Sequence, residues 1–223
     1  MTSTIPVMTS TVIPTLTVTV VTYTPRMGRW EPNARGRLEQ AALELYVKRG
    51  FDQTTVAEIA SQAGLTERTF FRHFADKREV LFGGGALAEG LAAAVDAAPD
   101  ATAPLDAVIA ALESTSDFFA ERHTHARQRQ EVIAANPSLQ ERELIKLASL
   151  ATAMAGALRR RGVTEPAASL AAETGVAVFK VAFERWINDA RERELAHLIR
   201  ESLDELRTVT AVPSTPRRST KRA

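Results

Sequence analysis

From Leu38 onward the apolar positions recur with helical spacing. Leu38, Ala41, Ala42, Leu45 and Tyr46 fall at i, i+3, i+4, i+7 and i+8 and make one stripe. Pro32 and Asn33 mark the start of this helix and Gly50 its end; Phe51 is expected to fold back on the stripe. Thr55-Val56-Ala57-Glu58 reads as a capping box that opens a second helix. Ile59 and Ala60 face inward, Ala63-Gly64 stop the helix, and Leu65 plugs the turn. Thr66 is the next cap, for a short helix over 67–74 whose buried edge is Phe70 and Phe74. Asp76 is expected to cap a longer helix over 76–97 carrying Val80, Leu81, Leu87, Leu91 and Val95. Gly83-Gly84-Gly85 soften it, each costing about 1 kcal/mol of helix propensity relative to alanine. Further helices are predicted over 105–120, 125–135, 138–161, 166–189 and 192–207.

The fold class is therefore all-α: an N-terminal three-helix head over 29–82, then a helical body over 83–207. Residues 208–223 carry two prolines and a basic run and are expected to be disordered. Residues 1–28 are read the same way: Leu16 to Tyr23 alternate at a strand period, but no sheet exists for them to join. Met27 opens a more ordinary sequence and is a candidate start.

Composition narrows the chemistry. The chain has 223 residues, 45% hydrophobic and 25% charged, which is ordinary for a globular protein. It has no cysteine, so a disulfide framework, a cysteine zinc site, an iron–sulfur cluster and a cysteine nucleophile are excluded. That suits a reducing cytoplasm. No run of about 18 apolar residues is present to span a membrane. The net charge of +1 hides a partition: +2 over 26–82, −6 over 83–206 and +5 over 207–223. A basic head on an acidic body points to a polyanionic partner for the head.

Two helices joined by a tight glycine-containing turn, the second short and aromatic, form a helix-turn-helix. The run Gly50-Phe51-Asp52-Gln53-Thr54-Thr55-Val56-Ala57-Glu58-Ile59-Ala60, with Ala63-Gly64-Leu65-Thr66 and Thr69-Phe70-Phe71-Arg72-His73-Phe74-Ala75-Asp76-Lys77, resembles the DNA-binding domain of the tetracycline-repressor (TetR) family. The resemblance runs from about Arg35 to Leu81; beyond it only helix number and order agree. It implies a homodimeric, all-helical regulator with a variable effector-binding body, usually a repressor until a small molecule binds. The family often has Tyr where this chain has Phe71, which can pack on a sugar or thymine methyl but donates no hydroxyl.

Side-chain chemistry fits that implication. Thr66, Glu67, Arg68 and Thr69 supply the short polar and basic face that a recognition helix presents to bases. Glu67 can accept from a cytosine amine or repel wrong sequences, and Arg68 is either a base contact or a solvated charge. Thr55, Arg72, His73 and Lys77 are the candidate phosphate clamps, with Thr55 and Thr66 also capping. Arg35, with Arg26, Arg29 and Arg37, tracks phosphates, enters the minor groove as an arm, or forms a solvated basic face.

In the body, Leu91, Phe118, Met154, Phe179, Phe183 and Trp186 are candidates for lining a mostly apolar effector cavity between the 76–97 and 138–189 helices, with core packing as the bland alternative. His123 or Arg127 would supply a polar entrance. Residues 127–142 are similar to bodies of actinobacterial family members, some of which sense acyl-CoA-like ligands. Val176, Phe179, Phe183 and Trp186, with Leu195, Leu198, Ile199, Ser202, Leu203 and Leu206, form stripes that could pair the last two helices across a two-fold axis; in the family this is the dimer interface. His123-Thr124-His125 with Glu121 lacks the helical i, i+4 spacing of a metal pair and reads as a corner with exposed histidines. No cofactor and no metal are implied. The expected partners are a roughly palindromic DNA operator, a small effector and a second copy, in the cytoplasm and without a membrane. A helical enzyme is the competing reading, weakened by the absence of Gly-x-Ser-x-Gly and of a phosphate loop. An interaction module that has lost DNA binding is the other.

Overall fold

The computed structural model describes residues 33–120, 122–189 and 193–211. The expected N-terminal tail, the start at Met27, Arg26, Arg29, Glu121 and residues 212–223 of the expected C-terminal tail lie outside them. The described residues are helical, with no strand among them. Asn33 takes a left-handed conformation and its side chain accepts from the Gly36 N–H at 3.2 Å, which starts α1, Ala34–Arg49. Gly50, at φ 87°, ends it, and the edge of Phe51 packs against Tyr46 with ring centroids 5.2 Å apart. α2 is Val56–Gln62 and α3 is Glu67–His73.

The expected helix over 76–97 is broken. Asp76 accepts from the N–H groups of Arg78 and Glu79 at 2.8 and 3.1 Å, but it leads only into a single 3-10 turn, Glu79–Leu81. Gly83 and Gly84 take φ of 65° and 72°, left-handed values that a right-handed helix cannot contain. α4 begins only at Ala86 and runs to Asp96. The expected helix over 105–120 is also two: α5, Pro104–Glu113, and α6, Ser116–Ala120. The Ser114 and Thr115 hydroxyls donate to the carbonyls of Ala111 and Leu112, both at 2.7 Å, and end α5 there. α7 is His123–Ala134, α8 Pro137–Arg160, α9 Ala167–Ile187 and α10 Leu195–Thr210. Thr208 and Thr210, expected in the tail, belong to α10, where their hydroxyls donate to the carbonyls of Asp204 and Leu206.

Two hydrophobic cores divide the described chain. One gathers α4, α5, α8, α9 and α10 around Leu91, Val95, Leu112, Met154, Leu158 and Ile199. The other gathers α1, α2, α3 and the 3-10 turn around Leu38, Ile59, Phe70 and Phe74, and it also takes in Val132, Ile133 and Leu139 from the α7–α8 corner. The head is thus closed by residues from the body.

Charge reinforces that junction. Glu79, 9% exposed, accepts from Arg142 Nε at 3.0 Å, from Arg142 Nη2, and from Lys146 Nζ at 2.5 Å. Burial alone would raise its carboxyl; the hydrogen bonds and charges of Lys146 and Arg142 outweigh that and hold it below the usual carboxylate range. Beside it, Arg129 Nε donates to the Leu81 carbonyl at 2.6 Å, and its guanidinium lies over the Phe82 ring and meets Glu143 at 3.3 Å. The glycine bend is therefore anchored on its head side to α7 and α8.

Candidate nucleic-acid interface

α2 and α3 are set by one turn. Gly64, at φ 66°, lets the Leu65 N–H close back on the Ala60 carbonyl at 2.8 Å, a helix-ending bond that favours glycine at this position. Thr66 then starts α3 by accepting from the Thr69 N–H at 3.2 Å. Phe70 is fully buried and Phe74 nearly so, which turns the opposite face of α3 outward. Glu67, Arg68, Phe71 and Arg72 lie on that face, with Phe71 56% exposed. Of the described arginines, only Arg68, Arg72 and Arg122 have side chains with no hydrogen bond or ion pair to described residues, and the Arg122 guanidinium lies over the Phe118 ring. α3 therefore presents two uncommitted guanidinium groups flanking an exposed aromatic ring. These groups can hydrogen-bond to base edges or phosphate oxygens without breaking an internal contact.

Thr55 forms the expected capping box. Its hydroxyl accepts from the Glu58 N–H at 3.2 Å and donates to Glu58 Oε2 at 2.9 Å, and its own N–H donates to the same oxygen at 2.9 Å. These bonds from Thr55, with Arg49 at 2.7 Å, hold the Glu58 carboxyl below its usual range. The hydroxyl proton of Thr55 is thus committed to Glu58.

Three of the ten expected DNA contacts are engaged with the protein itself or partly buried in it. Arg35 pairs with Glu39 at 3.0 Å and lies over the Phe74 ring, with Nη2 buried. His73 has Nε2 buried without a partner; burial, then the charges of Arg72 and Arg35, push its pKa down and disfavour the charged ring. Lys77, expected to clamp a phosphate, faces the protein instead. Its ammonium donates to the carbonyls of Phe51, Asp52 and Thr54 at 2.9, 3.3 and 3.0 Å and lies 4.4 Å from the Phe51 ring centroid. An ammonium has three donors, and all three are taken. Tyr46, which the sequence marks only as core, donates its hydroxyl to the Lys77 carbonyl at 2.6 Å. The spacing of 31 residues between them carries no local signal.

Two family models match the chain: the bacterial regulatory proteins of the tetR family over residues 39–82, and the MftR C-terminal domain over residues 102–211. The chain belongs to the TetR family. It is similar to the candidate mycofactocin biosynthesis transcriptional regulator MftR of Mycobacterium tuberculosis, 28% identical over 171 residues, which is 74% of this chain and 85% of that one. It is 41% identical over 81 residues to the HTH-type transcriptional regulator TcmR of Streptomyces glaucescens, 36% of each chain. In fold it resembles the regulator FadR of Bacillus subtilis, solved with stearoyl-CoA, at TM-score 0.54 and 19% identity over 77% of this chain and 96% of that one. The chain is a TetR-family transcriptional regulator with a helix-turn-helix head.

The body of this TetR-family chain departs from the cavity and pairing readings in two ways. Leu91, Met154, Phe179 and Trp186, for which core packing is the other reading, are packed in the core at 8% exposure or less. Phe118 is 55% exposed, and Arg127 is exposed with its Nε 3.9 Å from Glu131. The structure does bring His123, Phe179, Phe183 and Trp186 together, joined by Phe119, whose ring lies 5.5 Å from Phe183 and 5.9 Å from Trp186. His123 is not an exposed corner: its Nε2 lies 2.9 Å from the Trp186 carbonyl, and its ring meets the indole edge-on at 4.7 Å. No cluster of metal-ligating side chains occurs among the described residues. Among them no helix is long and apolar enough to cross a membrane.

The second departure concerns pairing. Val176, Phe179, Trp186, Leu195, Leu198, Ile199 and Leu203 are buried within the chain, because α9 and α10 must cover α5 and α8 before they can meet anything else. The apolar surface left over is the other face of the same two helices. There a groove of about 800 Å³ has an apolar floor of Ala177, Val178, Val181, Leu206 and Val209 and a polar rim of Thr174, Arg185, Glu201, Ser202, Asp204 and Glu205, with Val181 and Val209 52% and 73% exposed.

Proposed function

We propose that this TetR-family chain is a homodimeric repressor that reads a roughly palindromic operator with one α3 per half-site. The observation that carries the reading is the outward face of α3, where Arg68 and Arg72 stand uncommitted beside Phe71. Half-site centres then lie about 34–36 Å apart, or a multiple of that. The α9–α10 outer groove, apolar along its floor and charged at its rim, supports pairing of two copies into a four-helix contact, since an isologous interface uses one self-complementary patch twice. The repressor acts in the cytoplasm.

Release follows binding of a largely apolar effector at the His123–Phe119–Phe183–Trp186 cluster. Support comes from its four adjoining rings, with Phe183 only half-buried and exposed Phe118 beside it. Acyl-CoA-like molecules belong to that ligand class, and the fold-related FadR of Bacillus subtilis was solved with stearoyl-CoA. Such an effector shifts the DNA-binding population only by its differential affinity, so a useful one prefers the released state by a few kcal/mol.

The test is selection of bound sequences from a random DNA pool by the full chain, then a screen for compounds that release the selected site. Arg68→Ala is expected to relax preference at one position per half-site, with about 1–3 kcal/mol of discrimination lost. Failure of the full chain to enrich any sequence would refute the reading.

A further inference from the structure

We infer that Lys77 is a positioning residue for DNA recognition, locking the loop that carries α2 and making no phosphate contact of its own. The inference rests on the reading of the head as a DNA-binding unit. Lys77 is held at both ends. Its carbonyl receives the buried Tyr46 hydroxyl at 2.6 Å, which ties it to the last turns of α1. Its ammonium gathers the carbonyls of Phe51, Asp52 and Thr54, with the Phe51 ring beneath it. Three carbonyls converging on one cation would repel one another if the charge were absent, so the loop conformation depends on it.

That loop leads directly into the Thr55 cap of α2, and Thr54 is itself closed by its N–H on the Phe51 carbonyl at 3.2 Å and its hydroxyl on the Gly50 carbonyl at 2.9 Å. α2 in turn carries the Gly64 turn and α3. Lys77 therefore ties residues C-terminal to the recognition helix to the segment that precedes α2, and closes the helix-turn-helix into a ring. Without it, α2 and α3 would lose their fixed tilt on α1, and Arg68 and Arg72 would reach the groove in a broader range of poses. Lysine meets the three acceptors here with one compact tetrahedral head, whereas a guanidinium reaches several carbonyls by spreading its planar fork, as Arg161 does toward Ala98 and Pro99.

The experiment uses the full chain and its selected operator, with wild type, Lys77→Met and Lys77→Arg. Affinity is measured across a salt series, and hydrogen exchange is monitored for the amides of residues 51–58. Lys77→Met is expected to weaken binding about tenfold while the log–log salt slope stays at the wild-type value. Exchange of the Thr54 amide is expected to quicken at least about tenfold in Lys77→Met, and Lys77→Arg, which keeps a charged donor at the loop, to recover part of the affinity and the protection together. A slope flatter by about 0.9 with loop exchange unchanged would mean a direct phosphate contact and overturn the inference. No effect of Lys77→Met on either readout would also overturn it. If Lys77→Met does not fold, Lys77→Gln, which removes the charge and keeps two donors, is read the same way: an unchanged salt slope with faster loop exchange supports the lock, and a slope flatter by about 0.9 overturns it. If wild type shows no DNA binding, the functional reading fails by itself, and the exchange arm still decides whether Lys77 holds the loop.

Discussion

Glu79→Gln tests how the head is fastened to the body. The change keeps the side chain's shape and removes its charge. In the wild type both carboxylate oxygens face cations, Arg142 on one and Lys146 on the other. The glutamine amide can keep one acceptor, but its NH2 group must then point two donors at a cation. Removing one partner of a fully buried pair costs about 3–5 kcal/mol. Here the Arg142 and Lys146 side chains are 32% and 26% exposed, so they regain some water and the expected cost falls to about 2 kcal/mol. For a chain of this size that lowers the melting temperature by about 4–8 °C. The pH dependence fixes the cause. The folded carboxyl of Glu79 is held below its unfolded value, so its stabilisation is fully present above the ordinary carboxylate range and is lost as pH falls through the folded value. Asp76 and Glu58 are depressed as well, so the acid limb of wild type alone is not diagnostic. The difference between wild type and variant is, and it should be constant near neutrality and vanish in acid. Denaturant unfolding at several pH values measures it. A difference below about 0.5 kcal/mol at pH 7 would refute the argument, as would one that persists undiminished in strong acid.

Three further outcomes are expected. A Cβ at Gly175 would stand 2.2 Å from Val108 Cγ1, so Gly175→Ala should destabilise: overpacking of about 1–3 kcal/mol outweighs about 1 kcal/mol of helix propensity. Thermal melts of Gly175→Ala in wild-type and Val108→Ala backgrounds check this, since the second background should tolerate the methyl. Thr66→Ala removes the acceptor of the Thr69 N–H and should cost about 0.5–2 kcal/mol, with amide exchange quickening first in α3. Val181→Glu places a charge in the α9–α10 groove and should shift sedimentation toward a monomer while the helix content stays unchanged; an unaltered dimer would mean that copies pair elsewhere.

The features legible in the sequence are local. The Thr55 box, the Thr66 cap, the Gly50 and Gly64 stops and the Phe70–Phe74 edge each depend on residues within a few positions, and the structure places them as the spacing predicts. The long helix over 76–97 misleads because propensity counts each glycine as a modest cost, whereas two adjacent left-handed glycines form a bend. The direction of Lys77 is illegible for a different reason. Exposed and inward basic side chains look alike until distant acceptors are known, and those of Lys77 lie 23–26 residues away. Glu79 sits beside Val80 and Leu81 with no hint that cations 63 and 67 positions later will meet it. The stripes on α9 and α10 are apolar as their spacing indicates, but periodicity does not say which neighbour covers a stripe.

Closure of the head core by Val132, Ile133 and Leu139 limits how recognition could be transplanted. A graft that cut at the glycine bend would look natural on a domain map, yet it would leave three apolar sockets open in the donor head. At about 1.5–3 kcal/mol for each large side chain removed, that loss approaches the whole stability of a small domain. New operator specificity is therefore more readily obtained by changing the outward face of α3 in place than by exchanging heads. An exchanged head would have to bring the α7–α8 corner with it, along with Arg129, Arg142 and Lys146. In this chain the packing unit that supports DNA recognition is discontinuous, taking the first three helices and one remote corner together.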